Sequence, residues 1–419
     1  MSEQINYNQG GQQFNLKLFI NNIQIPTKNI VDCSIREWIT GTVVTLECTF
    51  LDSGTFTELS PLYDECPVIL EYCKNDQSEY KKLEFQMNPY EKERTAMDNG
   101  ALDIIHFVAF QKSKDFFYPI HSRVFKNSTT SEVLNDICRE SGFKYKKEIE
   151  SNDVQNWMQG NCDNYTFTKH LLKRSYVKEE DLPIFYFNRS NEAIFSTIKT
   201  KCNKSTKFMG INNNYAFVDN GDSQFTDKMK QESKGHKNLF YYSAYNSKDI
   251  AALLNKRNGY GIDFTYFDHK DFREYRMEFK FSPLTGYVNQ HKNNIGKYVN
   301  GLTYNSLSKN VHKNYLLAMS QNLFIKDVFY NNYLQIYINP DEEVMIGDKI
   351  NMIIYDNMSK TLGISPNIDK VNSGEYIVGG ILHNFKKDGL YNMCLTLFRN
   401  GMNNSDIKDK TFELVDGDF

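Results

Sequence analysis

The feature that most constrains the fold is a strict alternation of apolar and polar residues in short segments of the chain. Segments 14–20, 44–50 and 275–281 each place apolar side chains at every second position. A period of two sends successive side chains to opposite faces of a β-strand. Each segment therefore predicts a strand with one buried face and one face in contact with water.

The first 112 residues contain further strand-sized apolar segments, at 68–72, 83–87 and 104–110. Clusters of Pro, Asn, Asp and Gly separate them, and such clusters are typical of turns. Aromatic residues make up 14% of the chain although its hydrophobic fraction is only 40%, a combination that favours β structure. Residues 1–112 are predicted to form a small antiparallel barrel or sandwich.

A change of pattern after residue 112 predicts an α+β insert over residues 113–205. Thr129 and Glu132 have the capping-box spacing, and Gly142 follows the apolar helical face of the next turns. Asn164 is predicted to cap a second helix, which continues to Tyr176. Strands are predicted at 184–187 and 193–198.

Residues 206–325 are predicted to contain connector strands and mixed α+β structure. Helices are expected at 247–258, where Gly259 follows the end, and at 310–321. Residues 326–402 return to strands, at 333–338, 349–355, 375–383 and 391–399, with a hairpin turn at 387–389. The acidic tail, residues 403–419, is expected to be disordered in the isolated chain and to order on assembly. The predicted fold class is α+β, mainly β.

Sequence signals of enzymes are missing. The nucleophile elbow, the Walker loop, the H-E-x-x-H zinc motif and the dinucleotide fingerprint do not occur. Gly259-Tyr260-Gly261 follows a predicted helix rather than a strand, which indicates a helix end. Asp219 begins a stretch that resembles a calcium loop, but Lys230 stands where the twelfth position requires Glu.

The histidines, paired glutamates and cysteines also lack the spacing typical of catalytic or metal-binding sites. The eight histidines never come within four residues of one another, so His106 and His170 are interpreted as hydrogen-bonded or surface residues. Glu179 and Glu180 lie in a charge-rich segment, where solvation is the ordinary role. The eight cysteines form no C-x-x-C pair and are expected to be free thiols. No catalytic, cofactor-binding or metal-binding residue is predicted, and the protein is expected not to be an enzyme.

Charge and hydropathy limit the possible partners. Lys+Arg 49 against Asp+Glu 52 gives a net charge of -3, so no global positive field favours nonspecific nucleic-acid binding. The lysine-rich connector at 199–207 has no interleaved aromatics, which favours a solvated linker over a stacking platform. The N-terminal residues do not resemble a secretory signal, and no apolar run approaches a membrane span. A chain without stable membrane insertion is expected.

Four segments carry a resemblance to a known family: 128–142, 153–175, 347–354 and 373–401. The clearest points are Gln159 followed by Asp163 and Phe167, and the strand start at 373–376 with a final strand that ends at Arg399. In these features the chain resembles the central baseplate hub proteins of contractile-tailed bacteriophages. The hub part of type VI secretion spike proteins is related to the same family.

The resemblance implies a homotrimer in which two tube-like antiparallel β-barrel modules per subunit alternate in a pseudo-sixfold ring. Residues 1–112 would form the first module, and 326–402 most of the second. Such a ring joins the sixfold tail tube to the threefold central spike, and DNA passes through its lumen. The implied partners are the spike, the tube or a tube-initiator protein and other baseplate proteins. The implied location is the virion, after synthesis in the host cytoplasm.

Two alternatives remain open from the sequence. A monomeric carbohydrate-binding or hydrolytic multi-domain protein would need an open aromatic groove with convergent carboxylates. A hub of a phage-derived injection or secretion machine would have the same fold as the virus protein. The genomic neighbourhood would distinguish the machine from the virus.

Overall fold

The computed structural model describes residues 12–41, 43–52, 55–74, 79–97, 100–212, 237–246, 261–268, 273–280, 304–305, 312–330, 332–338, 340–353, 373–386 and 390–399. The first part contains seven strands, one 3₁₀ helix at Thr27–Asn29 and the short helix α1 (Thr55–Leu59). These strands are β1 (Gln12–Ile20), β2 (Ile23–Ile25), β3 (Ile30–Trp38), β4 (Thr45–Asp52), β5 (Pro67–Lys74), β6 (Lys81–Met97) and β7 (Gly100–Gln111).

The middle part contains β8 (His121–Ser128), α2 (Thr130–Ser141), β9 (Lys144–Lys147), β10 (Gln155–Cys162), α3 (Asn164–Arg174), β11 (Pro183–Phe187), β12 (Glu192–Thr197) and α4 (Ile198–Cys202). The remaining strands and the last helix are β13 (Thr206–Asn212), β14 (Lys237–Asn246), β15 (Gly261–Asp268), β16 (Arg273–Lys280), β17 (Tyr304–Asn305), α5 (Tyr315–Phe329), β18 (Asn332–Ile338), β19 (Lys349–Ile353), β20 (Gly374–Lys386) and β21 (Leu390–Arg399).

Thirteen of the strands form one sheet in the order β19-β13-β14-β18-β21-β20-β3-β4-β7-β6-β5-β1-β2. Two further pairings join strands that are distant in this order, since β19 also pairs with β20 and β1 also pairs with β21. The hairpin β20–β21 therefore belongs to two sets of paired strands. The predicted mainly β fold with antiparallel sheets is confirmed, although β13 pairs in parallel with β14 and β19.

Alternation in the sequence corresponds to alternation in burial. In β4, Leu46, Cys48 and Phe50 are buried while the intervening residues are half-exposed. Strands are present in all the predicted segments of the first part, and the predicted strand at 275–281 corresponds to β16. The structure adds β2 and β3, for which no expectation was stated.

Two hydrophobic cores meet at the paired strands β11 and β12 of the middle part. Phe185 and Phe187 pack into the core formed with the first seven strands and with α2 and α3. Ile184 and Tyr186 pack into a second core with β18 to β21 and α5. Because both faces of β11 are buried, its sequence is a continuous apolar run rather than an alternating one.

The first predicted helix of the insert is confirmed in detail. Thr129 and Glu132 form a capping box at the start of α2, and Gly142 ends it with a φ of 77°. The second helix is confirmed with two corrections. Asp163 rather than Asn164 is the cap, because its carboxylate accepts the Thr166 N–H. The helix also ends at Arg174, two residues before Tyr176.

One later helix lies several residues from its predicted position, and another helix of the structure was not predicted. Helix α5 begins at Tyr315 and ends at Phe329, so the prediction of 310–321 was right in kind but displaced. Helix α4 occupies part of the connector interpreted as a solvated linker, and its Lys201 is buried. The predicted helix at 247–258, the turn at 387–389 and the tail at 403–419 lie outside the described residues. The closing strands are present as β18 to β21, and β13 and β14 pair with them.

Candidate functional site: the junction of the sheet and the insert

The junction between the large sheet and the insert contains a buried ion pair. Glu37 in β3 has no exposed side-chain surface, and the Arg189 side chain, in the turn between β11 and β12, is 7% exposed. Arg189 Nε lies 2.6 Å from Glu37 Oε1, and the Arg189 backbone N–H donates to Oε2 at 3.0 Å. Arg189 also donates to the Val344 carbonyl at 3.4 Å. One side chain thus links the insert, the first seven strands and the segment before β19.

The hairpin β20–β21 completes this network from the other side. His383 Nε2 lies 3.2 Å from Glu37 Oε1, and His383 Nδ1 lies 2.6 Å from the Tyr391 hydroxyl. All three side chains are buried. Burial and the nearby Arg189 charge together lower the pKa of His383 to about 4, so the imidazole is neutral at pH 7. Burial by itself raises the pKa of Glu37, but Arg189 and His383 lower it more, and the carboxylate stays charged.

A second contact joins the insert to the loop before β19. Lys201 Nζ lies 2.6 Å from Glu148 Oε2, and Lys204 Nζ lies 2.9 Å from Oε1 of the same residue. Desolvation lowers the pKa of Lys201 to about 8. Gly347, with φ +80°, lies against this lysine, because a Cβ there would be 3.0 Å from Lys201 Cδ. The Gly347-Asp348 pair therefore permits the close approach of the insert.

Helix α5 is attached to the insert through side-chain amides. Gln321 donates to the carbonyls of Lys178 and Asp181, each at 3.0 Å. Asn322 donates to the carbonyl of Ser175 at 2.8 Å. Because these bonds satisfy backbone groups at the end of α3 and after it, they fix α5 on this face of the insert.

The residues that carry the sequence resemblance have structural roles. Gln159 is buried and accepts a hydrogen bond from Arg123 Nε at 2.8 Å. It also donates to Asn164 Oδ1 at 3.1 Å, and Arg123 Nη1 donates to both carboxylate oxygens of Glu140, at 2.9 and 2.7 Å. At the other end of the chain, the Arg399 guanidinium lies over the Tyr376 ring at 4.5 Å and donates to the Ser373 carbonyl. The first group joins side chains within the insert, and the second joins the end of β21 to the segment before β20.

The isolated polar residues considered in the sequence do not assemble into a site. His106 Nδ1 is 3.0 Å from the Thr49 hydroxyl across a strand pair, and Glu180 forms a 3.8 Å ion pair with Lys199. His170 is exposed on α3. Residues 219–222 and 259–260 lie outside the described residues. In the part of the chain that the structure describes, no three His, Cys, Asp or Glu side chains are grouped to hold a metal ion.

The buried network was missed in the sequence, although a signal for it exists. Glu37 is in phase with the buried Cys33 and Ile35 of β3, and His383 is in phase with Ile381 and Phe385 of β20. A charged residue on the apolar phase of a strand requires a buried partner. The partner itself, Arg189, is 152 positions from Glu37, and no local pattern indicates it.

The chain matches known proteins by its structure and not by its sequence. No protein-family model matches the chain, and no curated protein sequence matches it. Among the helices that the structure describes, none is long and apolar enough to cross a membrane.

Solved structures do match over nearly the whole chain. The chain is similar to a tail protein from Neisseria meningitidis MC58, with 9% identity, a TM-score of 0.52 and coverage of 93% of this chain and 98% of that chain. It is also similar to the 43 kDa tail protein of prophage MuSo2 from Shewanella oneidensis, with 9% identity, a TM-score of 0.55 and coverage of 93% and 99%. The fold is therefore that of tail proteins, and the resemblance drawn from the sequence is confirmed at this level.

Proposed function

We propose that this protein is the structural central hub of a contractile-tail baseplate, joining the sixfold tail tube to the threefold spike. The strand pairing carries the proposal. Eight strands pair in the closed order β21-β20-β3-β4-β7-β6-β5-β1, in which β1 pairs again with β21. Six strands pair in the closed order β20-β21-β18-β14-β13-β19, in which β19 pairs again with β20. The strands β20 and β21 belong to both sets. Pairing that returns to its starting strand is the pattern of a β-barrel.

Each set would be one tube-like module, and the shared hairpin would fix the two modules to each other. The first would contain the strands of residues 1–112, and the second those of 326–402 together with β13 and β14. Three copies then present six modules, so a threefold assembly can match a sixfold tube. The insert at 113–205 and the remainder of the segment 206–325, without β13 and β14, would decorate the outside or the side that faces the spike.

The insert carries exposed apolar side chains that fit a role in partner binding. Met158 is 72% exposed and pairs across the β8–β10 ribbon with Val124, which is 49% exposed. Ile120 and Val154 are also exposed. Grouped apolar side chains on a protein surface often mark an interface. The spike, the tube or tube-initiator protein and other baseplate proteins are the proposed partners.

The proposed location is the virion, and DNA would pass through the lumen of the ring. The lumen should be neutral or acidic, because lysine and arginine side chains would retain DNA phosphates and obstruct transit. No enzymatic activity is proposed, so any cleavage of a cell envelope would belong to another chain.

The experiment that tests the hub is the solution mass by light scattering, with negative-stain images of the same peak. We expect three times 49.0 kDa, or about 147 kDa, and a ring with a central hole. The same measurement is made after co-expression with tube and spike proteins from the same genome. A monomer in both preparations would overturn the proposal, whereas a trimer in the second alone would show that trimerisation requires a partner.

A further inference from the structure

A cleft of about 1250 Å³ lies between the strands β6 and β7 and the insert. Its walls come from residues 82–88 of β6, the end of β7 and the segment after it, the end of α2, the start of α3 and the turn between β11 and β12. Ligand sites commonly occur where two parts of a chain meet. Arg189 is one of the lining residues, but its ion pair with Glu37 does not account for the open space of the cleft.

One wall of the cleft is aromatic. Phe110 and Phe117 have ring centroids 5.2 Å apart, and Phe117 and Tyr165 have centroids 5.3 Å apart. These rings are half-buried, and Tyr118 beside them is 67% exposed. A connected, partly exposed aromatic surface can stack against a flat apolar ligand face.

Much of the rest of the lining is polar. Gln86 and Asn88 line it, and Glu84 is paired with Lys112 at 3.0 Å. The complete lining has four lysine or arginine residues and four aspartate or glutamate residues. This balance favours a neutral ligand over nucleic acid or another polyanion.

Among the residues that the structure describes, two buried polar side chains of the lining have an oxygen without a hydrogen-bond partner. Gln111 is 6% exposed, and its amide nitrogen donates to the Asn188 carbonyl and to Asn191 Oδ1. These bonds fix the amide orientation, so Gln111 Oε1 is the free acceptor. Ser141 is 1% exposed, and among the described residues neither Gln111 Oε1 nor Ser141 Oγ has a hydrogen-bond partner. Such buried groups in a native structure require an explanation.

We propose that this cleft binds a neutral oligosaccharide. The C–H faces of sugar rings would stack on the aromatic wall, and sugar hydroxyl or amide groups would bond to the carboxylate and amide side chains of the lining. An O–H or N–H of the ligand, or a water that the ligand holds, would satisfy Gln111 Oε1. This site is independent of the hub role, and it involves binding without cleavage.

The test is titration of the full chain with tetra-N-acetylchitotetraose and, separately, with maltotetraose, followed by calorimetry and saturation-transfer NMR. We expect saturable binding of at least one sugar at millimolar concentration or below. Tyr118→Ala should weaken binding about tenfold, as expected for loss of one stacked ring. Tyr118→Phe keeps the ring and should bind within twofold of the native chain.

The matched control is Tyr90→Ala, because Tyr90 is 41% exposed on β6 and does not line the cleft. This variant should bind the sugar as the native chain does. Circular dichroism confirms that each variant is folded before titration. The proposal is overturned if neither sugar binds up to 10 mM, on the order of the weakest affinity expected of such a site. It is equally overturned if Tyr118→Ala and Tyr90→Ala bind alike.

Discussion

Glu37 and Arg189 form a buried ion pair across the junction of the sheet and the insert, with Nε and Oε1 2.6 Å apart. Burying a charge pair seldom adds stability over an apolar contact, but leaving one member alone is costly. We therefore expect the pair to favour the docking position of the insert in which both charges are paired. A misplaced insert would leave Glu37 charged and unpaired within the core.

Arg189→Met should destabilise the protein by about 3–5 kcal/mol, because Glu37 then remains buried without its partner. Urea unfolding followed by circular dichroism measures the change. The double variant Glu37→Gln with Arg189→Met should recover much of the loss. Arg139→Met is the control, because the Arg139–Asp136 pair is exposed and should contribute about 1 kcal/mol or less. Equal losses for Arg189→Met and Arg139→Met would contradict the assignment.

Stability should fall as the pH is lowered from about 6.5 to about 4, in part because of His383. Its folded pKa is about 4 against 6.5 in the unfolded chain, so the unfolded state binds the proton first on acidification. The contribution of His383 to the free energy of unfolding is complete above pH 6.5 and is lost as the pH falls toward 4. Glu37, whose folded pKa is lowered, adds stability above its unfolded pKa that is lost at more acid pH.

His383→Gln removes the imidazole that takes up a proton when the chain unfolds. The slope of the unfolding free energy against pH between 4 and 6.5 should therefore become shallower. The decrease is at most about 1.4 kcal/mol per pH unit. Urea titrations at several pH values measure it. His170→Gln, at an exposed position on α3, should change the slope less. An unchanged slope in His383→Gln would show that the imidazole is not held neutral.

Gly380→Ala should destabilise the protein by about 1–3 kcal/mol, because a Cβ at this position would lie 2.2 Å from Trp38 Cζ3. Gly160→Ala is the matched control, since a Cβ there meets no atom within 4 Å. Thermal or urea unfolding compares the two. Adding Trp38→Leu to Gly380→Ala should restore part of the loss. A neutral Gly380→Ala would mean that the β20 backbone can move away from Trp38.

Thr129→Ala should cost about 1 kcal/mol of unfolding free energy, because it removes the side-chain cap of α2. Thr129→Ser keeps the hydroxyl and should be close to the native chain. Both variants can be compared by urea unfolding. A loss in Thr129→Ser as large as in Thr129→Ala would assign the effect to the methyl group instead of the cap.

The local elements followed from the sequence because their causes are local. The period of two in β4, the capping box of α2 and the closing strands depend on neighbouring residues, and the structure has all of them. The displaced start of α5 and the cap at Asp163 are errors of a few residues. At such boundaries several residues can satisfy the same backbone groups, and tertiary contacts select among them.

Only the tertiary structure decided how these elements combine. The pairing of β1 with β21 and of Glu37 with Arg189 joins positions far apart in the chain, and the alternation in each strand is compatible with many neighbours. The sequence alone determined that the chain would be mainly β and that it lacks the common enzyme motifs, and the division that sets off an α+β insert stays a prediction. The pairing of strands and the pairing of buried charges depend on packing between distant segments of the chain. No local period in the sequence encodes that packing.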